Sequence, residues 1–555
     1  MKSSASSAPS VSSDARPGRG RSRTLLTLLL SGTMLLSGGC AVANGDSAGD
    51  AGSADGRTLR VVLPQEPPTL EPCESSLTAT GVVVRSNITE PLVERDPTSG
   101  ELRPLLATGW TQTRPTTWTF DIRPGVTFQN GDRFDAQDAA FSIDRAVNSD
   151  LACNVDGYVF GDEELDVRVV GPTRLTVTTE KPDPILPLRL SFVEIVPRTT
   201  DTEAKVRIPV GTGPYAVQSW QAGSAISLTR NEDYWGEAPA YPRARYVWRG
   251  DASVRAAMID KGEADIAMSL DPMDAEKKTT VDYPNNETTA LRLDGREAPL
   301  DDLRVRRAIG MAVDREGIAD ALLGGLAEPA AQLVPPGVVG HNDALEPTPY
   351  DVDGARALIE EAAADGVPTG REITLVARNG QFAGIAETAE ALQYELGRIG
   401  LKVKVRMADT ATQLQYQLRP LPRGVGPIAL LIMHGNQAGD AAFTTSQYLL
   451  SDGPQSTFGT AELDRRIAAA GGLSGAARQR AFAGLLAHQN ASVAQYAYLA
   501  HMRGLLGLSP SVRYRPNSAT GDEMRLADVS PAKAADAADA AKAAEPARAA
   551  KEVRH

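Results

Sequence analysis

Two short polar clusters carry the residue types best suited to holding a ligand. Arg378-Asn379-Gly380-Gln381 offers a guanidinium and two amides. His434-Gly435-Asn436-Gln437-Ala438-Gly439-Asp440 offers an imidazole, two more amides and a carboxylate. A guanidinium can bind a carboxylate through two hydrogen bonds, a carboxylate can take an ammonium, and amides serve either end of a polar solute. Each cluster follows an apolar run, Glu372–Arg378 in one case and Ile428–Met433 in the other. Read as strands, these runs would bring both clusters to one crevice, because ligands of α/β sheets sit beyond the carboxyl ends of the strands. Arg378, Asn379, Gln381, His434, Asn436 and Asp440 are therefore the candidate ligand-binding residues. The competing reading is that both clusters are solvated loops.

Motifs for catalysis are nearly absent. Gly45-Asp46-Ser47-Ala48-Gly49 matches Gly-x-Ser-x-Gly, but a nucleophile elbow needs a strand before it and a helix after it, and here the surroundings are Gly, Ala, Ser and Asp. Ser530-Pro531-Ala532-Lys533 matches Ser-x-x-Lys at the edge of an alanine-rich tail. The chain has no Walker A loop, no His-Glu-x-x-His and no dinucleotide glycine fingerprint. The five histidines, His341, His434, His488, His501 and His555, are scattered, which argues against a histidine-built metal site. No enzyme, cofactor or metal centre is expected.

The elements that must position the clusters are legible in the hydrophobic pattern. Thr58–Pro64 reads as a first strand. Trp118–Arg123 alternates apolar and polar, Asn130-Gly131 is a tight-turn dipeptide, and Asp135 caps a helix whose buried stripe is Ala139, Ile143, Ala146 and Val147. Arg174–Thr178 and Ala225–Arg230 read as further strands. From Leu300 the pattern alternates. Asp302 and Asp314 are candidate N-caps of two helices, the second stopped by Gly324-Gly325, and Ala355–Ala364 is a third helix. The strand Glu372–Arg378, the helix Ile385–Arg398 closed by Gly400, the strand Leu401–Met407, a helix around Thr410–Leu418 and the strand Ile428–Met433 follow. That series implies right-handed crossovers and a largely parallel sheet.

The N-terminus reads as an export signal. Arg16, Arg19, Arg21 and Arg23 precede an apolar run that closes at Leu35-Leu36-Ser37-Gly38-Gly39-Cys40. Small residues directly before a cysteine resemble a bacterial lipobox, with Ser37 standing where a leucine is usual and Leu36 one place earlier. A lipidated Cys40 and a plain secretory signal followed by an incidental cysteine are the two readings. Residues 41–57 are mostly Gly, Ala, Ser and Asp, with almost nothing to pack, as a flexible tether would be. The remaining cysteines, Cys73 and Cys153, form a single pair in an exported chain, which favours a disulfide over two free thiols. A metal site is the weaker option, since neither lies in a Cys-x-x-Cys unit or near a histidine. A net charge of −13 argues against a nucleic-acid partner, whose phosphates demand basic surface. The alanine- and charge-rich tail has no apolar stripe to bury and is expected to be solvated.

Several blocks together resemble the family 5 extracellular solute-binding proteins of ABC importers, the peptide- and nickel-binding group. They are Trp118 through Arg145, Val210-Gly211-Thr212-Gly213-Pro214-Tyr215 continuing to Arg230 through Gly236, Pro299 through Arg315, and Tyr350-Asp351 before Ala355. Their order is the family's order over nearly the whole body. Gly211, Gly213 and Pro214 read as turn-forming scaffold, and Tyr234 and Trp235 as core residues rather than a stacking platform. The resemblance implies a two-lobed α/β fold of the periplasmic-binding-protein kind (type II, cluster C-like), with a hinge between the lobes. Carried onto this chain it gives a lipoprotein signal peptide at 1–39, a tether at 40–57, a first lobe at 58–300 with a returning segment at 485–530, a second lobe at 301–484 and a tail at 531–555.

The same resemblance implies an extracytoplasmic receptor, lipid-anchored to the outer face of the cell membrane and expected to be a monomer. It would capture an oligopeptide or another small polar solute and deliver it to a permease and its ATPases. Peptide-binding relatives often pair the peptide's amino terminus with an aspartate after the strand corresponding to Ile428–Met433, and Asp440 is the acid found there. Nickel would arrive chelated, given the poor histidine supply. An extracellular ligand sensor on the same fold is the alternative, and a hydrolase a distant third.

Overall fold

A computed structural model describes residues 58–161, 163–521 and 523–532. Cys40, the leader, the tether and residues 533–555 of the tail lie outside the described residues.

Aliphatic and β-branched runs build one eleven-stranded sheet. Its strands, in chain order, are β1 (Thr58–Leu63), β2 (Tyr215–Gln221), β3 (Ala225–Arg230), β4 (Arg243–Trp248), β5 (Ile266–Ala267), β6 (Thr280–Leu293), β7 (Ala327–Pro329), β8 (Ile373–Arg378), β9 (Val403–Ala408), β10 (Ile428–Gly435) and β11 (Tyr496–Leu508). Across the sheet the order is β9-β8-β10-β6-β11-β5-β1-β4-β3-β2, with β7 pairing on β11. This is the mixed, two-lobed α/β arrangement of periplasmic binding proteins.

Residue type tells each strand's place. The first six residues of β10, Ile428-Ala-Leu-Leu-Ile-Met, are almost wholly buried, as a strand covered on both faces must be. Strand β9 alternates Val403, Val405 and Met407 with exposed Lys404 and Arg406, and it lies at the sheet edge, where charge blunts unwanted pairing. The helix Ile385–Arg398 buries Ile385, Ala389, Leu392 and Leu396 at helical spacing, and the chain turns at Gly400 with φ +90°.

Parallel pairing is confined to β8 with β9, β8 with β10, and β1 with β4 and β5. The second half of the sheet is therefore less uniformly parallel than the alternation implies. The reason is that β6 and β11 are long strands, 14 and 13 residues, that run through the middle of the sheet and pair antiparallel to each other. Their ladder breaks between Pro284 and Thr288: Thr280–Pro284 pairs with the Arg503–Gly507 part of β11, and Thr288–Arg292 with Tyr496–His501. Beyond the break β6 also pairs with β10, from Glu287 opposite Gly435 onward.

A separate four-stranded antiparallel sheet, Ala107–Arg114, Thr117–Ile122, Arg174–Thr178 and Asp166–Gly171, packs against the helix Ala136–Ile143. That helix opens on a capping box: Asp135 accepts from Gln137 N–H, and Asp138 accepts from Asp135 N–H. Cys73 and Cys153 are joined by a disulfide beside this core. Ser530–Pro531 pairs with Val512–Arg513, so the expected tail begins within a short ladder.

Candidate functional site

Strands β8 and β10 are parallel neighbours, with Val376 opposite Leu430, so both polar clusters leave the sheet at the same end. The clusters then differ in what their side chains do. Arg378 is half-buried at the last position of β8, and its Nε is buried without a protein acceptor. The Gln381 N–H donates to Arg378 O at 3.2 Å, while Gln381 Oε1 is buried with no donor. The Asn379 N–H is taken by Ala408 O at 2.9 Å and its side chain is exposed. Arg378 and Gln381 thus hold polar atoms that the protein leaves unused, which is costly away from water.

The second cluster is turned inward and satisfied. His434 lies against the Tyr448 ring at a centroid distance of 4.4 Å, and its Nε2 is 2.8 Å from Thr444 Oγ1. Burial drops its pKa to about 3, so the imidazole is neutral at physiological pH. Asn436 donates through Nδ2 to Leu333 O at 3.0 Å and to Asn286 O at 3.3 Å, and its Oδ1 accepts from Thr444 Oγ1. Asp440 caps the helix Ala441–Tyr448 and receives Arg478 Nε and Nη2 on its two carboxylate oxygens, each at 2.7 Å. Both members of that pair are buried. As placed, Asp440 has no charge left for a ligand ammonium.

Where the second cluster ends, it meets side chains from distant parts of the chain. Arg95 Nη1 donates to Gln437 O, and Asn436 N–H donates to Asn286 O at 2.8 Å in the broken stretch of β6. The returning segment arrives here too, through Asn286 Nδ2 to Ala519 O at 3.1 Å and Arg525 to both Glu94 and the Arg95 carbonyl. Next to Asn286 stands Glu287, half-buried, its Oε2 accepting from Asn285 Nδ2 at 2.7 Å. Sequence reasoning missed Arg95 and Glu287, because nothing local marks contacts between segments so far apart in the chain. Among the described residues, no group of three or more His, Cys, Asp or Glu side chains is arranged to hold a metal ion.

Comparison with known proteins now adds the family. Residues 101–453 match bacterial extracellular solute-binding proteins, family 5 Middle. The chain belongs to this family. It is 30% identical to the nickel-binding periplasmic protein of Escherichia coli K12 over 351 residues, which is 58% of this chain and 66% of that one. It is 28% identical to the dipeptide-binding protein of the same organism over 349 residues, 57% of this chain and 65% of the relative. The chain thus spans just under two thirds of the length of these curated relatives. Among solved structures, the substrate-binding protein CtaP of Listeria monocytogenes superposes with a TM-score of 0.75 at 20% identity, over 86% of this chain and 99% of that one. DppA of Helicobacter pylori in complex with the peptide STSA superposes at 0.70 and 20% identity, over 86% and 98%.

In this family 5 protein, Gly211, Gly213, Tyr234 and Trp235 of the shared blocks are occupied by contacts within the chain. A Cβ on Gly211 would stand 2.2 Å from Ile88 O, and one on Gly213 2.6 Å from Asn87 O, so only glycine lets this loop and this turn meet. The segment so approached leads to Glu90, a buried carboxylate that accepts from Thr212 Oγ1, Tyr234 Oη and Trp235 Nε1 at 2.7, 2.8 and 2.9 Å. Tyr234 and Trp235 are half-buried, with Arg123 stacked on Trp235, and their polar atoms serve Glu90.

Proposed function

We propose that the protein is the solute-binding receptor of an ABC importer and that its cargo is a small polar solute carrying a carboxylate. The observation that carries this reading is Arg378: a guanidinium at the carboxyl end of a parallel strand, its Nε buried and unpaired, beside Gln381 with an equally unpaired Oε1. A ligand carboxylate would accept from Arg378, and a ligand N–H would donate to Gln381. Dipeptides, glutathione, the peptide STSA, Ni(L-His)2 and Fe(III)-EDTA, which the names of relatives and structural neighbours mention, all carry carboxylates. A carboxylate is the group common to these ligands, and Arg378 offers it a partner here.

In this reading residues 58–300 with 485–530 form one lobe and 301–484 the other, and the solute closes them through contacts with both. Lipidation of Cys40 would keep the receptor near its permease, raising the effective concentration there without a new contact surface. Calorimetry of the full chain against alanyl-alanine, glutathione and Ni(L-His)2 tests the cargo. Binding of at least one, weakened tenfold or more by Arg378→Met with the melting temperature unchanged, is the expected result. Binding that Arg378→Met leaves intact would overturn the assignment.

A further inference from the structure

His341 and His501 are far apart in the chain, and the sequence pattern gives no reason to expect a metal site from them. The fold brings their rings to a centroid distance of 6.4 Å. Each ring has one nitrogen held by the chain and one left over. His341 Nδ1 lies 2.8 Å from Val334 O. A carbonyl only accepts, so Nδ1 carries the proton and, in the neutral ring, Nε2 presents its lone pair. His501 Nδ1 lies 2.9 Å from Thr288 Oγ1. Among the described residues no hydrogen bond reaches either Nε2, and His341 Nε2 has only the Asp343 carboxylate near it, at 3.5 Å. A ring fixed through Nδ1 with Nε2 unclaimed is the arrangement of a metal-ligating histidine.

Spacing and charge agree with this. At about 2.0–2.1 Å per bond to zinc, two imidazoles that share an ion stand at this separation or slightly closer. Burial, with His341 adding to it, lowers the His501 pKa to about 4, so that ring is neutral at physiological pH and its lone pair is available. The groups facing the pair do not compete for it. Thr288 is neutral, and Arg503, two residues along β11, is occupied by Asp282 and Glu328 at 2.6 and 3.0 Å. Glu328, the cross-strand neighbour of His501 on β7, is thereby paired as well. Asp343 is 97% exposed and adds a negative charge at the rim. His501 is half-buried and His341 keeps 15% of its side chain in contact with solvent, which gives an ion a way in.

We propose that His341 and His501 together bind a divalent transition-metal ion through their Nε2 atoms, with water in the remaining positions, as a clamp within the fold rather than as cargo. Imidazole nitrogen suits zinc or nickel, whereas magnesium and calcium take oxygen ligands. The clamp joins two segments. The loop that carries His341 pairs with the residues flanking Asp440: Val339 N–H donates to Gly439 O at 3.1 Å, and Ala441 N–H donates to Val339 O at 2.8 Å. His501 lies on β11, and its partner Thr288 stands opposite His434 of β10 as well. An ion on the pair therefore stiffens the frame of the second polar cluster from outside it, whatever the solute is.

Calorimetry and thermal melting of the full, untagged chain, freed of metal by chelation and dialysis, test this with zinc sulfate, and magnesium sulfate serves as the control. The proteins compared are wild type, His341→Gln, His501→Asn and His488→Gln. Wild type is expected to take up one zinc ion and to melt at a higher temperature with zinc but not with magnesium. His341→Gln and His501→Asn should each weaken zinc binding at least about tenfold and lose the rise, while His488→Gln keeps both. If His501→Asn fails to fold, His341→Gln, which lies in a loop, decides alone. Zinc uptake that survives His341→Gln, a rise that magnesium matches, or no stoichiometric uptake by wild type overturns the site. Uptake that both variants lose, without any rise in melting temperature, overturns the clamp and keeps the ion site.

Discussion

Arg478 places Nε and Nη2 on the two carboxylate oxygens of Asp440, each at 2.7 Å, in a pair buried on both sides. Arg478 also donates through Nη1 to the carbonyls of Gly471 and Leu473 at 2.8 and 3.1 Å, which ties the end of one helix to the cap of another. The acid that sequence pattern brings forward as a ligand contact thus already has a partner.

Removing one member of this pair leaves a buried charge uncompensated. Asp440→Ala is expected to cost about 3–5 kcal/mol of unfolding free energy, by urea titration, because Arg478 cannot move into water. Solute affinity measured below the new melting temperature should change less than twofold. A large affinity loss with stability intact would make Asp440 a ligand contact instead.

Glu90 gives a pH dependence whose sign is fixed. Burial pushes its carboxyl from an ordinary 4.5 to about 7, against the pull of Trp235, Thr212 and Tyr234. The native state therefore keeps a proton that the unfolded chain gives up, and stability from this group falls as pH rises from about 4.5 to 7, then levels off. Glu194, Glu287 and Glu395 are raised to about 7 as well, so wild type carries a combined slope. The difference between wild type and Glu90→Gln isolates one group. Glu90→Gln should be more destabilising at pH 5 than at pH 7.5, by on the order of 2–4 kcal/mol. An equal penalty at both pH values would contradict this.

The disulfide closes a loop across a separation of 80 residues, between the segment before the first helix and the turn after Asn148. Cross-linking so long a loop restricts the unfolded chain. Replacing both Cys73 and Cys153 by alanine is expected to cost about 2–5 kcal/mol. Equilibrium unfolding of the double variant beside wild type measures it, and free thiols detected in the unreduced protein would remove the premise.

Gly213 tests the scaffold. A methyl there would sit 2.6 Å from Asn87 O and 2.8 Å from Ile88 O, both backbone atoms that cannot swing away. Gly213→Ala should lower the melting temperature by several degrees, while Gly109→Ala, with nothing within 4 Å of its added Cβ, should shift it far less. Equal shifts would refute the close approach.

Local signals were legible and non-local ones were not. Asp135, Asp302 and Asp314 cap helices as their spacing implies, and the helix Ile385–Arg398 has the boundaries that its stripe and Gly400 set. Strands β8 and β10 also stand where the apolar runs put them, so the shared exit of the two clusters could be read from the alternation. Which side chains face outward could not. Arg478 lies 38 residues beyond Asp440, and nothing between them announces a pair. Thr288 meets His501 across 213 residues, so the crossing of β6 and β11 has no local signature. Glu287 and Arg95 take their place from that crossing and from contacts over hundreds of residues, and both went unmarked for that reason. His341 and His501, scattered in sequence, come to a ring separation of 6.4 Å by the same long-range pairing.

Arg378, in the proposed function, holds the carboxylate of a small polar solute. Native mass spectrometry of the full chain purified from its own host, beside Arg378→Met prepared in the same way, tests it most directly. Wild type should carry a bound small molecule that contains a carboxylate, and Arg378→Met should lack it. A bound solute without a carboxylate, or one retained equally by Arg378→Met, would contradict it.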